Sequence, residues 1–94
     1  MKDDRKRVTV FYAGHVQGVG FRHAARQVAG GFDVCGSVRN LPDGRVELVA
    51  EGAHSELEEF RQAIRDAGVG PMIRNESVQW SEARGDLRGF QILR

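Results

Sequence analysis

Residues 8–31, VTVFYAGHVQGVGFRHAARQVAGG, decide the fold because a strand pattern and a helix pattern meet there across a glycine-rich loop. Residues 8–13 are mostly β-branched or aromatic, and their alternation puts every second residue on one face, which predicts a strand. In residues 21–29 the apolar side chains fall on one helical stripe, and Gly30 and Gly31 follow them. This pattern predicts a helix that ends at the two glycines.

The stretch that follows, residues 34–50, predicts a β-hairpin. Residues 34–41 have the composition of a strand, and residues 45–50 alternate between apolar and polar side chains. Between them, residues 41–44 read Leu-Pro-Asp-Gly. Proline presets the backbone angle of a tight turn and glycine accepts the left-handed position, so the two strands should pair.

A second helix is predicted after the hairpin. Ser55 and Glu58 fit a capping box, in which the serine caps the helix and the glutamate reaches back to it. The apolar stripe of this helix consists of Leu57, Phe60, Ile64 and Ala67, and Gly68 should end it. Residues 77–83 then predict a fourth strand, and residues 90–92 a short final one.

The order β-α-β-β-α-β, with this short terminal strand, is typical of an α+β, ferredoxin-like split βαβ sandwich. In that fold an antiparallel sheet carries two helices on one face. We expect residues 1–7 to form a charged N-terminal tail and residues 8–94 to form a single domain. Because many unrelated activities use this fold, function has to be argued from particular residues.

Charge and composition exclude several classes of function. The chain has 14 lysines and arginines against 13 aspartates and glutamates, so a nucleic-acid partner, which would favour a clear basic excess, is not expected. The single cysteine, Cys35, rules out an intramolecular disulfide and a cysteine-based metal cluster. No apolar run approaches the ~20 residues that span a bilayer, and no signal-peptide core is present. We expect a cytoplasmic monomer with no membrane partner.

The glycine-rich loop between the first strand and the first helix predicts an anion site. Backbone N–H groups at a helix N-terminus lack partners inside the helix, and the helix dipole adds positive potential. Gly18 and Gly20 let the backbone curl around an anion, and the guanidinium of Arg22 can bind phosphate oxygens. The loop is neither a dinucleotide fingerprint nor a Walker loop. On the loop alone, a tight turn beside a surface arginine is an equal alternative.

A second motif favours the anion site over the simple turn. Gly36 to Glu47 reads G-x-V-x-N-x-x-D-G-x-V-E, and Gly14 to Arg22 reads G-x-V-Q-G-V-x-F-R. Together, in this order, the two motifs resemble those of the acylphosphatase family. The resemblance extends over nearly the whole chain. It implies hydrolysis of the carboxyl–phosphate bond of small acyl phosphates to a carboxylate and phosphate. It also implies that no metal, cofactor or covalent intermediate takes part.

The resemblance assigns roles to particular residues. Backbone amides of the loop and the side chain of Arg22 would hold the phosphoryl group, and the amide of Asn40 would position the attacking water. The loop residues concerned are His15, Val16, Gln17, Gly18, Val19 and Gly20. The side chains of Gln17 and Val19 are interpreted as loop formers. Strand parity supports the role of Asn40, because it shares a face with the residues that the helices should cover.

The resemblance is incomplete before the hairpin and at Asn75, where the fourth strand has a polar residue in place of the usual apolar one. Before the hairpin, the family often carries L-G-L-x-G-W, whereas this chain has Asp33 at a common glycine and Ser37 at a common aromatic. We expect both differences to affect packing more than chemistry. The alternatives that stay open are a non-catalytic phosphate- or protein-binding module, an RNA-binding domain, and a related domain fused within a hydrogenase-maturation protein.

Overall fold

The computed structural model describes residues 4–93 and has five strands and two helices. The strands are β1 (Arg5–Gly14), β2 (Val34–Asn40), β3 (Val46–Ala53), β4 (Ile73–Glu82) and β5 (Phe90–Ile92). The helices are α1 (Phe21–Ala29) and α2 (His54–Asp66), and a 3-10 turn (Gly70–Met72) precedes β4. The predicted order β-α-β-β-α-β with a short final strand is confirmed.

The strands form one sheet in the order β4-β1-β3-β2-β5. Strand β1 pairs antiparallel with β3 and β4, and β2 pairs antiparallel with β3 as the predicted hairpin. Strand β5 instead lies parallel to β2, with Gly36 opposite Phe90 and Val38 opposite Ile92. The sheet is therefore mixed, and the predicted antiparallel arrangement holds for its first four strands.

The core lies between one face of the sheet and the two helices. Val8, Val10 and Tyr12 of β1 are completely buried on this face, as their alternation predicts. The other core residues from the helices and strands include Phe21, Ala25, Val38, Val46, Leu48, Ala50, Leu57, Phe60 and Ile64. Burial of these apolar side chains is the main favourable contribution to folding. It also fixes the position of the end of β1 relative to the helices, and therefore the position from which the following loop starts.

The charged N-terminus departs from its prediction. Strand β1 begins at Arg5, three residues before the predicted start, so the predicted tail is wrong at residues 5–7. Arg5 pairs with Ala53 and Arg7 with Glu51 across the β1–β3 ladder. These side chains are charged but belong to the sheet, because β3 extends far enough to pair with them. Residues 1–3 of the predicted tail lie outside the described residues.

The start of α2 also departs from its prediction. The helix begins at His54 directly after β3, with Ala53 at the cap position and no side-chain cap, so the predicted capping box is wrong. Ser55 therefore lies inside the first turn. The Glu58 carboxylate accepts a hydrogen bond from Arg61 Nη1 at 2.7 Å instead of reaching back. The cause is β3, which continues to Ala53 and leaves no loop in which a cap could form.

A buried ion pair lies on the sheet face opposite the helices. The carboxylate of Glu51 is fully buried and accepts a hydrogen bond from Arg7 Nη1 at 2.6 Å. It also accepts hydrogen bonds from the backbone amides of Arg84 at 2.8 Å and Gly85 at 3.0 Å. Burial alone would raise the pKa of this carboxyl, but the three hydrogen bonds outweigh burial and lower it. Glu51 thus ties the segment after β4 to the middle of the sheet.

Candidate active site

The loop between β1 and α1 depends on left-handed glycines. Gly18 and Gly20 have φ angles of 76° and 82°. A Cβ atom added at either glycine would meet no atom within 4 Å, so the backbone angle, and not crowding, explains the glycine there. Gly20 is also the residue before the first turn of α1. The two glycines therefore turn the chain sharply into the helix.

The start of this loop is tied to β4. A Cβ atom at Gly14 would lie 2.4 Å from the carbonyl oxygen of Met72, so only glycine lets the two strands approach this closely. The amide of His15 donates a hydrogen bond to the same Met72 oxygen at 3.0 Å. Since the His15 amide already has this partner, the amides that remain for an anion are those of residues 16–20.

Those amides are the main feature of the site. Among the backbone groups of residues 4–93, no carbonyl accepts a hydrogen bond from the amides of residues 16–20. Helix α1, which follows them, has no side-chain cap and no acidic residue in its first turn. The helix N-terminus therefore keeps its partial positive charge, and several backbone donors gather at one end of it. This arrangement suits an anion of the size of a phosphate group.

Two side chains of the loop anchor it. Val16 is completely buried in the core. Gln17 Nε2 donates hydrogen bonds to the carbonyl oxygens of Leu41 at 2.8 Å and Arg45 at 2.9 Å, on either side of the hairpin turn. Between Gln17 and α1, Val19 is 41% exposed. The interpretation of Gln17 as a loop former is thus too general, because its side chain makes a specific contact with the hairpin.

Arg22 lies in the first turn of α1 and is connected to β2 through Leu93, which follows β5. Its Nη1 atom donates a hydrogen bond to the carbonyl oxygen of Leu93 at 3.4 Å. The amide of Leu93 donates to the carbonyl oxygen of Val38 at 2.8 Å. Val38 precedes Asn40 by two residues on the same face of β2. The contact with Leu93 could not be predicted from the sequence, because its acceptor is a backbone carbonyl oxygen, which every residue type has.

Asn40 is the last residue of β2 and is half-buried, opposite Val46 of β3. Leu41, which follows Asn40, is held by Gln17, and Val38 before it is held by Leu93. The loop therefore contacts the residue after Asn40 directly, and α1 is linked through Leu93 to the residue two positions before it. The structure brings the predicted loop, Arg22 and Asn40 to one end of the sheet.

Four other residues from the sequence analysis or the motifs are not part of the contacts between the loop, Arg22 and Asn40. The side chains of His15 and His23 are exposed. Asp33 is exposed, and its amide donates to Glu56 Oε1 at 2.8 Å. Ser37 pairs with Val49, and its position in β2 puts it on the face opposite that of Asn40. Ser37 is thus not on the face that carries Asn40, and Asp33 precedes β2.

No group of three or more histidine, cysteine, aspartate or glutamate side chains within residues 4–93 is arranged to hold a metal ion. Over this same range, no helix has the length and apolar character needed to cross a lipid bilayer.

Comparison with known proteins identifies the family. The acylphosphatase family model matches residues 8–92, which is nearly the whole chain. The chain belongs to the acylphosphatase family. An acylphosphatase of Trichormus variabilis is 45% identical over 91 residues, covering 94% of this chain and 86% of the relative. An acylphosphatase of Salinibacter ruber is 40% identical over 89 residues, covering 95% and 94%.

A solved acylphosphatase has the same fold. The crystal structure of the acylphosphatase from Bacillus subtilis matches with a TM-score of 0.86 at 31% identity, covering 95% of this chain and 99% of that one. Membership of the acylphosphatase family and this structural match show an enzyme of the hydrolase class. They support hydrolysis of acyl phosphates as its general activity.

Proposed function

We propose that this enzyme hydrolyses small acyl phosphates at the end of the sheet where residues 15–20, Arg22 and Asn40 meet. The observation that supports this most directly is the set of backbone amides in residues 16–20. They have no carbonyl partner within the described chain and lie at the uncapped N-terminus of α1. A dianionic phosphoryl group presents three oxygens, which several convergent N–H donors can bind together.

In this proposal the guanidinium of Arg22 supplies the full positive charge of the site. Its guanidinium has five N–H donors, and the contact with the Leu93 carbonyl uses Nη1 alone at 3.4 Å. The remaining donors can bind two phosphoryl oxygens side by side, while the contact with Leu93 keeps the guanidinium oriented. The loop amides and Arg22 would then stabilise the charge that spreads over the phosphoryl oxygens in the transition state.

Asn40 would place the attacking water. The water oxygen attacks phosphorus, the bond between phosphorus and the acyl oxygen breaks, and the carboxylate leaves with the electron pair of that bond. Because the acid of this leaving group has a pKa near ~4, it can depart as an anion without a general acid. An amide cannot act as a base, so the proton of the water passes to a phosphoryl oxygen of the substrate. The products are a carboxylate and inorganic phosphate.

The first test is phosphate release from benzoyl phosphate in the presence of a chelator, with Arg22→Ala and Asn40→Ala beside the unaltered enzyme. We expect turnover that survives the chelator and falls by roughly 10²-fold or more in each variant, as for loss of one transition-state donor. Arg22→Ala should also weaken inhibition by inorganic phosphate. Asn40→Ala should lower kcat and leave that inhibition intact, because Asn40 contacts the water and not the phosphoryl group.

Two exposed residues provide matched controls. Arg26→Ala removes an arginine one turn further along α1, and Asn75→Ala removes an asparagine from β4. Neither change should alter turnover by more than a small factor. Equal rates for Asn40→Ala and Asn75→Ala, with circular dichroism unchanged in both, would contradict the proposed role of Asn40. Tight phosphate binding without any hydrolysis by the unaltered protein would indicate a non-catalytic binding module instead.

Several expectations from the sequence stay predictions: a cytoplasmic location, a monomeric state and the absence of a nucleic-acid partner. Sedimentation velocity at the concentration of the assay checks the monomer, which we expect to give one species near 10.4 kDa. Addition of a nucleic acid to the assay should leave turnover unchanged, because the formal net charge is only +1.

A further inference from the structure

We propose that the side chain of Gln17 is a positioning residue, which sets the distance between the phosphate-holding loop and Asn40. This inference rests on the proposed function, because it assigns the role to the same site. Gln17 belongs to the loop, but its carboxamide binds the hairpin. We infer that it aligns the water held by Asn40 with the phosphoryl group held by the loop.

The contact uses both hydrogens of one amide group. Gln17 Nε2 lies 2.8 Å from the carbonyl oxygen of Leu41 and 2.9 Å from that of Arg45. Both partners are carbonyl oxygens, which only accept hydrogen bonds, so the group that faces them has to be the nitrogen of the carboxamide. The two partners lie 24 and 28 residues away in the sequence, and the contact therefore joins two separate parts of the chain.

The two carbonyl groups lie next to Asn40 on both strands of the hairpin. Leu41 follows Asn40 on β2, and Arg45 precedes Val46, the residue opposite Asn40 on β3. Leu41 and Arg45 also close the turn, since the Leu41 amide donates to the Arg45 oxygen at 2.8 Å. Gln17 therefore holds both strands one residue beyond the pair that contains Asn40. A shift of the loop relative to β2 would break both of its hydrogen bonds.

The loop needs a side chain to hold the hairpin, because its backbone amides bind the phosphoryl group. Amides of residues 16–20 that bind a phosphoryl group cannot also hold the hairpin. Val16, which is buried in the core, fixes the loop against the helices but makes no directional bond. The donor pair of Gln17 is directional, because hydrogen bonds weaken steeply as their angle departs from linear. Correct alignment matters here, since a displacement of about 1 Å can cost on the order of 10²-fold in rate.

Two substitutions separate the donor function from the shape of the side chain. Gln17→Met keeps the length and removes both donors. Gln17→Glu keeps the shape but faces two carbonyl oxygens with a carboxylate oxygen, which repels them. We expect both changes to lower kcat for benzoyl phosphate by roughly 10- to 100-fold, with the larger loss for Gln17→Glu. The inhibition constant of inorganic phosphate should change less than about threefold, because the loop amides and Arg22 are intact. Gln27→Met, on the exposed side of α1, is the control.

A double-mutant cycle decides whether Gln17 acts through Asn40. In the Asn40→Ala background the water is no longer held, so Gln17→Met should lower kcat by less than about threefold further. If Gln17→Met lowers kcat by the same factor in both backgrounds, Gln17 acts independently of Asn40 and the inference is wrong. An equal loss in kcat and in phosphate affinity would also overturn it, because that pattern indicates a general collapse of the loop.

A second measurement does not depend on catalysis. In NMR spectra, Gln17→Met should shift the side-chain amide signals of Asn40 and speed hydrogen exchange of the Leu41 and Gly44 amides, which close the turn. Signals from the core should stay in place. If the unaltered protein shows no hydrolysis, the proposed function fails, but this NMR comparison still tests the link between Gln17 and Asn40. Unchanged Asn40 signals and unchanged exchange in Gln17→Met would refute the link itself.

Discussion

Replacing the buried carboxylate of Glu51 by an amide should cost this protein much of its stability. The carboxylate is fully buried and accepts three hydrogen bonds. Oε2 accepts from Arg7 at 2.6 Å and from the Arg84 amide at 2.8 Å, and Oε1 accepts from the Gly85 amide at 3.0 Å. In Glu51→Gln one of these two oxygens becomes an NH₂ group, which faces a donor and cannot accept.

The size of the effect follows from these contacts. At best, the glutamine oxygen replaces Oε2, so the Gly85 amide loses its acceptor and the largely buried Arg7 guanidinium keeps as counter-charge only the exposed carboxylate of Asp86, at 3.3 Å. Breaking a buried ion pair from one side costs about 3–5 kcal/mol. A domain of this size has a total stability of about 5–15 kcal/mol. A loss of about 3 kcal/mol would lower the Tm by roughly 12–24 °C.

Glu47→Gln is the matched control. Glu47 lies on the same strand and face as Glu51, and its carboxylate accepts from Arg39 Nε at 2.7 Å, but the side chain of Arg39 is 48% exposed. An exposed pair of this kind contributes about 0–1 kcal/mol. Urea unfolding of both variants at neutral pH, followed by circular dichroism, measures the two losses. If they differ by less than about 1 kcal/mol, the assignment of Glu51 as a structural anchor is wrong.

The same residue predicts a direction for pH dependence. The hydrogen bonds hold the pKa of Glu51 below that of an unfolded glutamate, which is about 4.3. Ionised Glu51 therefore stabilises the folded state above that pH, and its contribution is lost as the pH falls through the lower, folded-state value. Between about pH 5 and pH 3, the unaltered protein should lose stability more steeply than Glu51→Gln. Equal slopes would show that Glu51 does not titrate differently on unfolding.

Three further predictions concern the core and the edge of the sheet. The hydroxyl of Tyr12 is buried without a hydrogen-bond partner among the described residues, so Tyr12→Phe should keep or raise the Tm; a clear fall would reveal a partner. A Cβ atom at Gly36 would lie 2.1 Å from the Val49 carbonyl oxygen, so Gly36→Ala should cost about 1–3 kcal/mol in urea unfolding, whereas Gly68→Ala, where space is open, should not. Trp80 stacks on His54 with ring centroids 4.3 Å apart, so His54→Ala should change the intensity or wavelength of its fluorescence emission; an unchanged spectrum would show that the two rings do not stack in solution.

Local patterns predicted most of the architecture. Alternation in β1 identified its buried face, and the helical stripes identified α1 and α2, because those patterns depend only on which side of one element meets the core. The two glycine-containing motifs likewise identified the loop and the turn. Each of them needs a special backbone angle, and that requirement is visible in the residue type itself.

The errors arose where distant partners decide the structure. Arg7 reads as part of a charged tail, but its environment depends on Glu51, 44 residues away. Ser55 and Glu58 match a capping box, but β3 runs directly into α2 and moves the helix start to His54. The parallel direction of β5 rests on a strand of three residues, too short to carry a pattern of its own.

For the site, the sequence indicated which residues take part but not how they are held. Arg22 and Asn40 stand out by their chemistry and their motifs. Their supports are the carbonyl oxygens of Leu41, Arg45 and Leu93, and any residue type carries such an oxygen. A pattern of side chains cannot reveal a contact made by the backbone, so the role of Gln17 became visible only in three dimensions.

The connection through Leu93 has a practical consequence for handling the enzyme. Its amide is bound to β2 and its carbonyl to Arg22, so the backbone directly after β5 joins the two halves of the site. A proteolytic cut beside Leu93 would act next to the guanidinium of Arg22 and leave the hydrophobic core intact. Preparations of equal melting temperature would then differ in specific activity, and mass spectrometry of the peptide that contains Leu93 would explain the difference.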